Sequence, residues 1–178
     1  NVNRARIGSM KKFEIHMHST FSDGEFSPTR LVDIAKGNGV SVLCLTDHDT
    51  FEGIPEFMAA AKAVEISAFP GIEITVRYRG FNLHLLAYFE SIESLSDELS
   101  HEVMKMASKR ERRMRELIYR VNEVIPEKFR GTIEYENVRR AAEGVLARPH
   151  LAKEMVRLGV VPSTRDAFDR YLVKYNVE

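Results

Sequence analysis

The run Val40-Ser41-Val42-Leu43-Cys44-Leu45 is almost wholly apolar, and it stops at the polar segment Thr46-Asp47-His48-Asp49. A short run of that kind, rich in β-branched residues, reads as a strand buried on both faces, and such strands belong to parallel sheets or barrels. In those folds the chemistry collects at the carboxyl ends of the strands, where Asp47, His48 and Asp49 stand. Two readings of the cluster coexist: His48 as a metal ligand, and Asp49 or Thr50 as the cap of a helix that begins near Phe51 or Glu52 and runs to Val64.

A second strand is written in Phe13-Glu14-Ile15-His16-Met17-His18, where apolar and polar residues alternate with period two. The alternation predicts Phe13, Ile15 and Met17 packed in a hydrophobic layer, with His16 and His18 on the opposite face within reach of one ion. The alternative is two unrelated polar residues on a solvated strand face. Further on, Ile74-Thr75-Val76-Arg77-Tyr78 and Phe81-Asn82-Leu83-His84-Leu85-Leu86 flank the turn candidate Arg79-Gly80, which predicts a hairpin. With a two-residue loop, Tyr78 pairs Phe81 and Glu73 pairs Leu86. Glu73 and His84 then share a face as diagonal neighbours, roughly 7–8 Å apart at Cα and close enough to share a metal. Singly, Glu73 also fits a solvent-facing strand residue and His84 a satisfied core histidine.

Four of the six histidines, together with Asp23 and Glu73, fall in the first 84 residues, in or beside these strand-like runs. Imidazoles and carboxylates brought together from several strand ends are what a hydrolytic centre with more than one divalent cation requires. Helices fill the intervals, as a β/α alternation demands. Ser27-Pro28 reads as a cap followed by proline in the first turn, with Leu31, Ile34 and Ala35 as the packing face before Gly37 and Gly39. After Glu90 the strand-like runs give way to a long amphipathic helix from about Leu95 to Val124, with Leu99, Val103, Met106, Met114, Leu117, Ile118 and Val121 near helical spacing. Shorter helices follow at about Tyr135 to Glu143, Pro149 to Leu158 and Ser163 to Lys174. On the long helix Arg110 and Arg113 lie three apart, so both guanidinium groups can hold one phosphate; the alternative is a solvated helix face.

The ordered set His16-Met17-His18-Ser19-Thr20, Ser22-Asp23-Gly24, Thr46-Asp47-His48-Asp49-Thr50 and Pro70-Gly71-Ile72-Glu73 resembles the polymerase and histidinol phosphatase (PHP) family, most closely its nucleotide phosphoesterase branch. The resemblance runs from Met10 to about Tyr175. It implies an α/β fold, a distorted (β/α)7 barrel of which this chain carries the N-terminal part over residues 10–90, with a helical substrate-binding subdomain over residues 91–178. It also implies up to three divalent ions: His16, His18 and Glu73 on one, Glu73 and His84 on a second, Asp23 and His48 on a third. The His-Pro and Asp-x-His segments that complete such sites in relatives are not found after Glu90. By resemblance Arg110 and Arg113 face the substrate, and Arg148 and His150 contribute to its pocket, although Arg148-Pro149-His150 also reads as a plain helix start.

The activity so implied is hydrolysis of phosphate esters of nucleotides, either a nucleoside 3′,5′-bisphosphate or the 5′ end of a short oligonucleotide. Water activated by the cations would be the nucleophile, with manganese the favoured metal and zinc or iron the alternatives. Asp47 or Asp49 would orient a ligand histidine from behind. Two other readings are a PHP phosphatase acting on histidinol phosphate or DNA ends, and a non-catalytic nucleotide-binding module lacking the C-terminal ligands. A formal net charge of zero, from 26 basic and 26 acidic residues, argues against a broad grip on extended DNA. The one cysteine, Cys44, reads as a buried thiol in a cytoplasmic setting. No apolar segment approaches the ~20 residues of a membrane span. Gly8-Ser9-Met10 reads as a junction ahead of a natural start, so residues 1–9 are set apart as an added tail.

Overall fold

The computed structural model describes residues 11–175, and the tail expected over residues 1–9 lies outside the described residues. Strand β1 (Lys12–Met17) pairs in parallel with β2 (Val40–Leu45), which pairs in parallel with β3 (Ser67–Tyr78); β4 (Phe81–Tyr88) returns antiparallel along β3. The sheet order is β1-β2-β3-β4. The right half of β2 is as dry as its sequence demands, with Leu43, Cys44 and Leu45 all at 0 % exposure. Burial pushes the Cys44 thiol up to about 12, so it is an inert packing group.

Helix α1 (Pro28–Gly37) packs on β2 and α2 (Ile54–Ala63) on β3, so Val32, Ala35, Leu43, Leu45, Ile54, Phe57 and Ala61 form one core. Ser27 caps α1, its side chain accepting from Arg30 N at 3.3 Å, with Pro28 in the first turn. The deepest residue of that helix is Val32, one position from the expected Leu31, which is half-buried. On β1 only Met17 reaches this core. Phe13 and Ile15, expected in a hydrophobic layer, are 62 % and 40 % exposed, because β1 is an edge strand and neither helix extends over its outer end. The other edge, β4, also shows apolar side chains to solvent at Phe81, Leu83 and Leu85.

Strand β3 is longer than its apolar pattern suggested, because Pro70 to Glu73 continue it back to Ser67. The hairpin register is Tyr78 to Phe81, Thr75 to His84 and Glu73 to Leu86, as the two-residue loop requires. Arg79 and Gly80 both have positive φ, at 50° and 86°, the signature of a type I′ turn. Gly80→Ala is therefore expected to destabilise the protein by about 1 kcal/mol, read as a fall in the urea midpoint, whereas Arg79→Asn should leave it unchanged or raise it. Equal effects of the two would mean that the turn does not set the register.

The C-terminal half is built on α3 (Asp97–Val124), capped by Ser96, whose hydroxyl accepts from Leu99 N, with Asp97 and Glu98 favourably placed in the first turn. Val103, Met114, Leu117, Ile118 and Val121 are its buried residues, while Leu99 and Met106 are only half-buried. A second core joins α3 to α4 (Tyr135–Arg140), α5 (Arg148–Arg157), α6 (Thr164–Ala167) and the π-turn Phe168–Leu172, through Leu117, Val121, Val138, Leu151, Met155 and Leu172. Helix α4 stops at Arg140, short of the expected Glu143. The freed segment reaches the turn that follows β1 instead: Val145 N donates to Phe21 O at 2.9 Å, Thr20 bonds Glu143, and a Cβ at Gly144 would collide with the Phe21 carbonyl.

Candidate metal centre

The strand ends bring all six residues of the expected ligand set together. Glu73 is their hub. Its Oε2 lies 2.8 Å from His16 Nε2 and 3.0 Å from His18 Nε2, and its Oε1 lies 2.6 Å from His84 Nδ1. His48 Nε2 stands 3.9 Å from Glu73 Oε2 and 3.9 Å from Asp23 Oδ2, and His18 Nδ1 is 3.5 Å from Asp23 Oδ1. Three overlapping triads result, His16/His18/Glu73, His18/Asp23/His48 and His48/Glu73/His84, with the donor atoms of each within 4.8 Å of one another. The resemblance implied only pairs for the second and third sites; the structure brings His18 to Asp23 and His48, and His48 to Glu73 and His84.

Backbone pairing explains why Glu73 sits so accurately. Asp49 N donates to Glu73 O at 3.0 Å and Glu73 N to Asp47 O at 3.2 Å, so the segment carrying His48 is stitched to β3 on both sides of the histidine. Asp47, buried, accepts from Ser19 N at 2.6 Å, Ser19 Oγ at 2.5 Å and Ser22 Oγ at 2.5 Å. It thus holds the turn between His18 and Asp23, whereas the sequence suggests a place behind a ligand histidine. At Gly24 a Cβ would collide with the His18 carbonyl, so the turn closes only over glycine. Asp49 differs from expectation as well. Its backbone takes φ 51°, and its carboxylate accepts from Thr75 N at 2.7 Å and from Arg110 Nε at 2.6 Å. The start of α2 has Gly53 at the cap position and Thr50 Oγ1 accepts from Glu52 N, while the strong donors of β3 and α3 take the Asp49 side chain away from the helix.

The protonation states suit cation binding. Burial holds His48 below the usual imidazole value, against the pull of Asp23 and Glu73, leaving a neutral ring. Burial would raise Glu73, but the hydrogen bonds from His16 and His84 outweigh it and keep the carboxyl ionised. His18 Nδ1 and His48 Nδ1 are buried without a hydrogen-bond partner. Of these, His18 Nδ1 lies 3.5 Å from Asp23, and a buried imidazole nitrogen without a hydrogen bond beside a carboxylate fits a divalent cation better than it fits a packed core.

The cluster opens onto a cavity of about 280 Å³ with Asp23, His48 and His84 on one side and Arg110, Arg113 and Arg148 on the other. Thr75 and Asn82, which the sequence did not single out, also line it; both sit on the His84 side of the hairpin, and period-two counting from Glu73 and His84 would have found them. Arg110 is clamped, its Nη2 2.9 Å from Thr75 Oγ1 and 2.6 Å from Asp49 Oδ2. His150, expected as a pocket residue, is buried instead, with Nδ1 accepting from Ala147 N at 3.1 Å, and burial together with Lys153 lowers its pKa. It shapes the start of α5, and Arg148 and Pro149 face the cavity.

A parallel sheet extended by a hairpin, with imidazoles and carboxylates meeting at its strand ends above an arginine-lined cavity, is the architecture of a metal-ion-dependent α/β domain. The profile of the family described as PHP domain matches residues 14–168, and the chain belongs to that family. A 5′-3′ exoribonuclease of Haemophilus influenzae is 35% identical over 163 residues, covering 91% of this chain and 57% of the relative. A 3′,5′-nucleoside bisphosphate phosphatase of Chromobacterium violaceum is 28% identical over 165 residues, covering 92% and 55%. Among solved structures, a Bifidobacterium adolescentis protein provisionally assigned as a metal-dependent phosphoesterase superposes with a TM-score of 0.82 at 26% identity, over 94% of this chain and 58% of its own. The chain thus spans little more than half the length of these relatives, and its sheet is the corresponding half-barrel.

Proposed function

We propose that this chain forms the metal-binding and substrate-orienting part of a phosphoesterase that hydrolyses phosphate esters of nucleotides, a nucleoside 3′,5′-bisphosphate or the 5′ end of a short oligonucleotide. The observation that carries the reading is the pairing of three overlapping ligand triads with arginines across one cavity. His16, His18, Asp23, His48, Glu73 and His84 would hold the ions, with Glu73 bridging. Divalent cations in such a cage supply positive charge for phosphoryl oxygens and acidify water near neutral pH. Manganese is the metal we favour, since a mixed imidazole and carboxylate set without thiolate suits it, with zinc or iron next.

The protein's own part is to place the phosphate. Two carboxylates against several divalent charges leave the cluster positive, so a phosphate is drawn to it. Arg113 and Arg148 face that position, and Arg110, fixed by Asp49 and Thr75, presents a cation that cannot swing away. A division near residue 90, into a metal-binding part and a helical substrate part, belongs to the same proposal and is supported by the two separate cores. A cytoplasmic setting rests on the one reduced, buried Cys44.

The test is manganese-dependent phosphate release from a nucleoside 3′,5′-bisphosphate. Arg113→Ala is expected to weaken substrate binding roughly 10–100-fold, the worth of one charge-assisted hydrogen bond, while metal content stays the same. A metal-loaded chain that releases no phosphate, or an Arg113→Ala variant with unchanged apparent affinity, contradicts the assignment.

A further inference from the structure

On the far side of the Arg110 clamp lies a second and larger cavity, about 550 Å³, between β3 and α3. It shares Thr75, Arg110 and Arg113 with the first, so the two are continuous past one guanidinium. Arg77 from β3 and Lys109, Arg110, Arg112 and Arg113 from α3 line it, against only two acids, Asp49 and Glu116. Both acids already face cations: Asp49 bonds Arg110, and Glu116 bonds Arg120 at 2.8 Å. In a chain whose formal charge sums to zero, this concentration of positive charge in one concave place is a local design of the fold. A solvated helix face would spread its cations around the helix. Here they converge with a strand residue over Met106, an apolar surface on which a sugar or base can rest.

We propose that this second cavity is a subsite for the next phosphodiester of an oligonucleotide, one link beyond the ester held at the metal centre, with Lys109 and Arg112 as its contacts beyond the shared Arg110 and Arg113. The proposal rests on the nucleotide reading above and deepens it: a mononucleoside bisphosphate fills the first cavity alone, whereas an oligonucleotide continues past Arg110 into the second. Lys109 and Arg112 are then the residues that set preference for chain length.

The test is binding, which needs neither turnover nor bound metal. Fluorescence anisotropy in EDTA compares a 5′-phosphorylated tetraribonucleotide with a nucleoside 3′,5′-bisphosphate as competitor. The tetranucleotide is expected to bind at least about 10-fold more tightly, with an affinity that falls steeply with salt. Lys109→Ala/Arg112→Ala should abolish that advantage, reduce the slope of log K against log salt by about 1 to 2, and leave bisphosphate affinity unchanged. As a control, Lys128→Ala/Arg130→Ala, a pair of exposed cations elsewhere, should change nothing. Equal affinity for the two compounds, an advantage that survives in the Lys109/Arg112 variant, or an equal loss in the control overturns the subsite. Failure of the nucleotide reading looks different: no phosphate release in manganese from a chain whose cleft still binds the tetranucleotide.

Discussion

Glu73→Gln is expected to weaken divalent-metal binding by at least about 100-fold, or about 2.7 kcal/mol, while the metal-free protein unfolds at nearly its original temperature. Glu73 supplies one of only two carboxylates in the six-residue set and belongs to two of the three triads, so losing its charge touches both sites at once. Removing a partner that merely orients a ligand costs 10–100-fold in metal affinity, and a bridging ligand should cost more. The amide keeps the shape and can still accept from an imidazole. Its backbone bonds to Asp47 and Asp49 are untouched, so the fold should persist. Calorimetric titration of manganese into both proteins checks the first half, and thermal unfolding in EDTA the second. A variant that binds metal like the parent would remove Glu73 from the centre.

Asp47→Ala should be the most destabilising single change near the site, costing about 3–5 kcal/mol, or roughly 10 °C in Tm for a domain of this size. Three donors converge on this carboxylate, and Ser19, Ser22 and Asp47 are all buried, so no water replaces the lost acceptor cheaply. The backbone N–H of Ser19 would be left unpaired. Ser22→Ala removes one donor and keeps the rest, and should cost only about 1–2 kcal/mol. Metal affinity should fall along with stability in Asp47→Ala, because the turn it holds carries His18 and Asp23. A loss under 1 kcal/mol would show that the turn is held by other means.

Much of this was legible because the relevant information was local. Alternation in β1 and the two residues between Tyr78 and Phe81 specify which side chains share a face, and that is enough to bring His16 to His18 and Glu73 to His84. Capping at Ser27 and the apolar stripe of α3 are local signals too. What alternation cannot say is what covers a face, so it places Phe13 and Ile15 in a core that does not reach the sheet edge. Nor can it find partners far apart in sequence. Asp49 reads as a helix cap until α3 delivers Arg110, 61 positions on, and Asp47 reads as a histidine's support until the turn of Ser19 and Ser22 folds onto it. His150 illustrates a third limit, since a motif position says that a residue matters to a pocket without saying whether it faces the cavity or holds the helix beside it.

A polynuclear cation site is what we propose for these six side chains. Elemental analysis by plasma mass spectrometry, on chain loaded with manganese and then dialysed, tests it most directly, with Glu73→Gln in parallel. At least two divalent ions per chain in the parent and fewer than one in the variant are the predicted result. A parent that retains no stoichiometric metal, or a variant that retains as much as the parent, would contradict it.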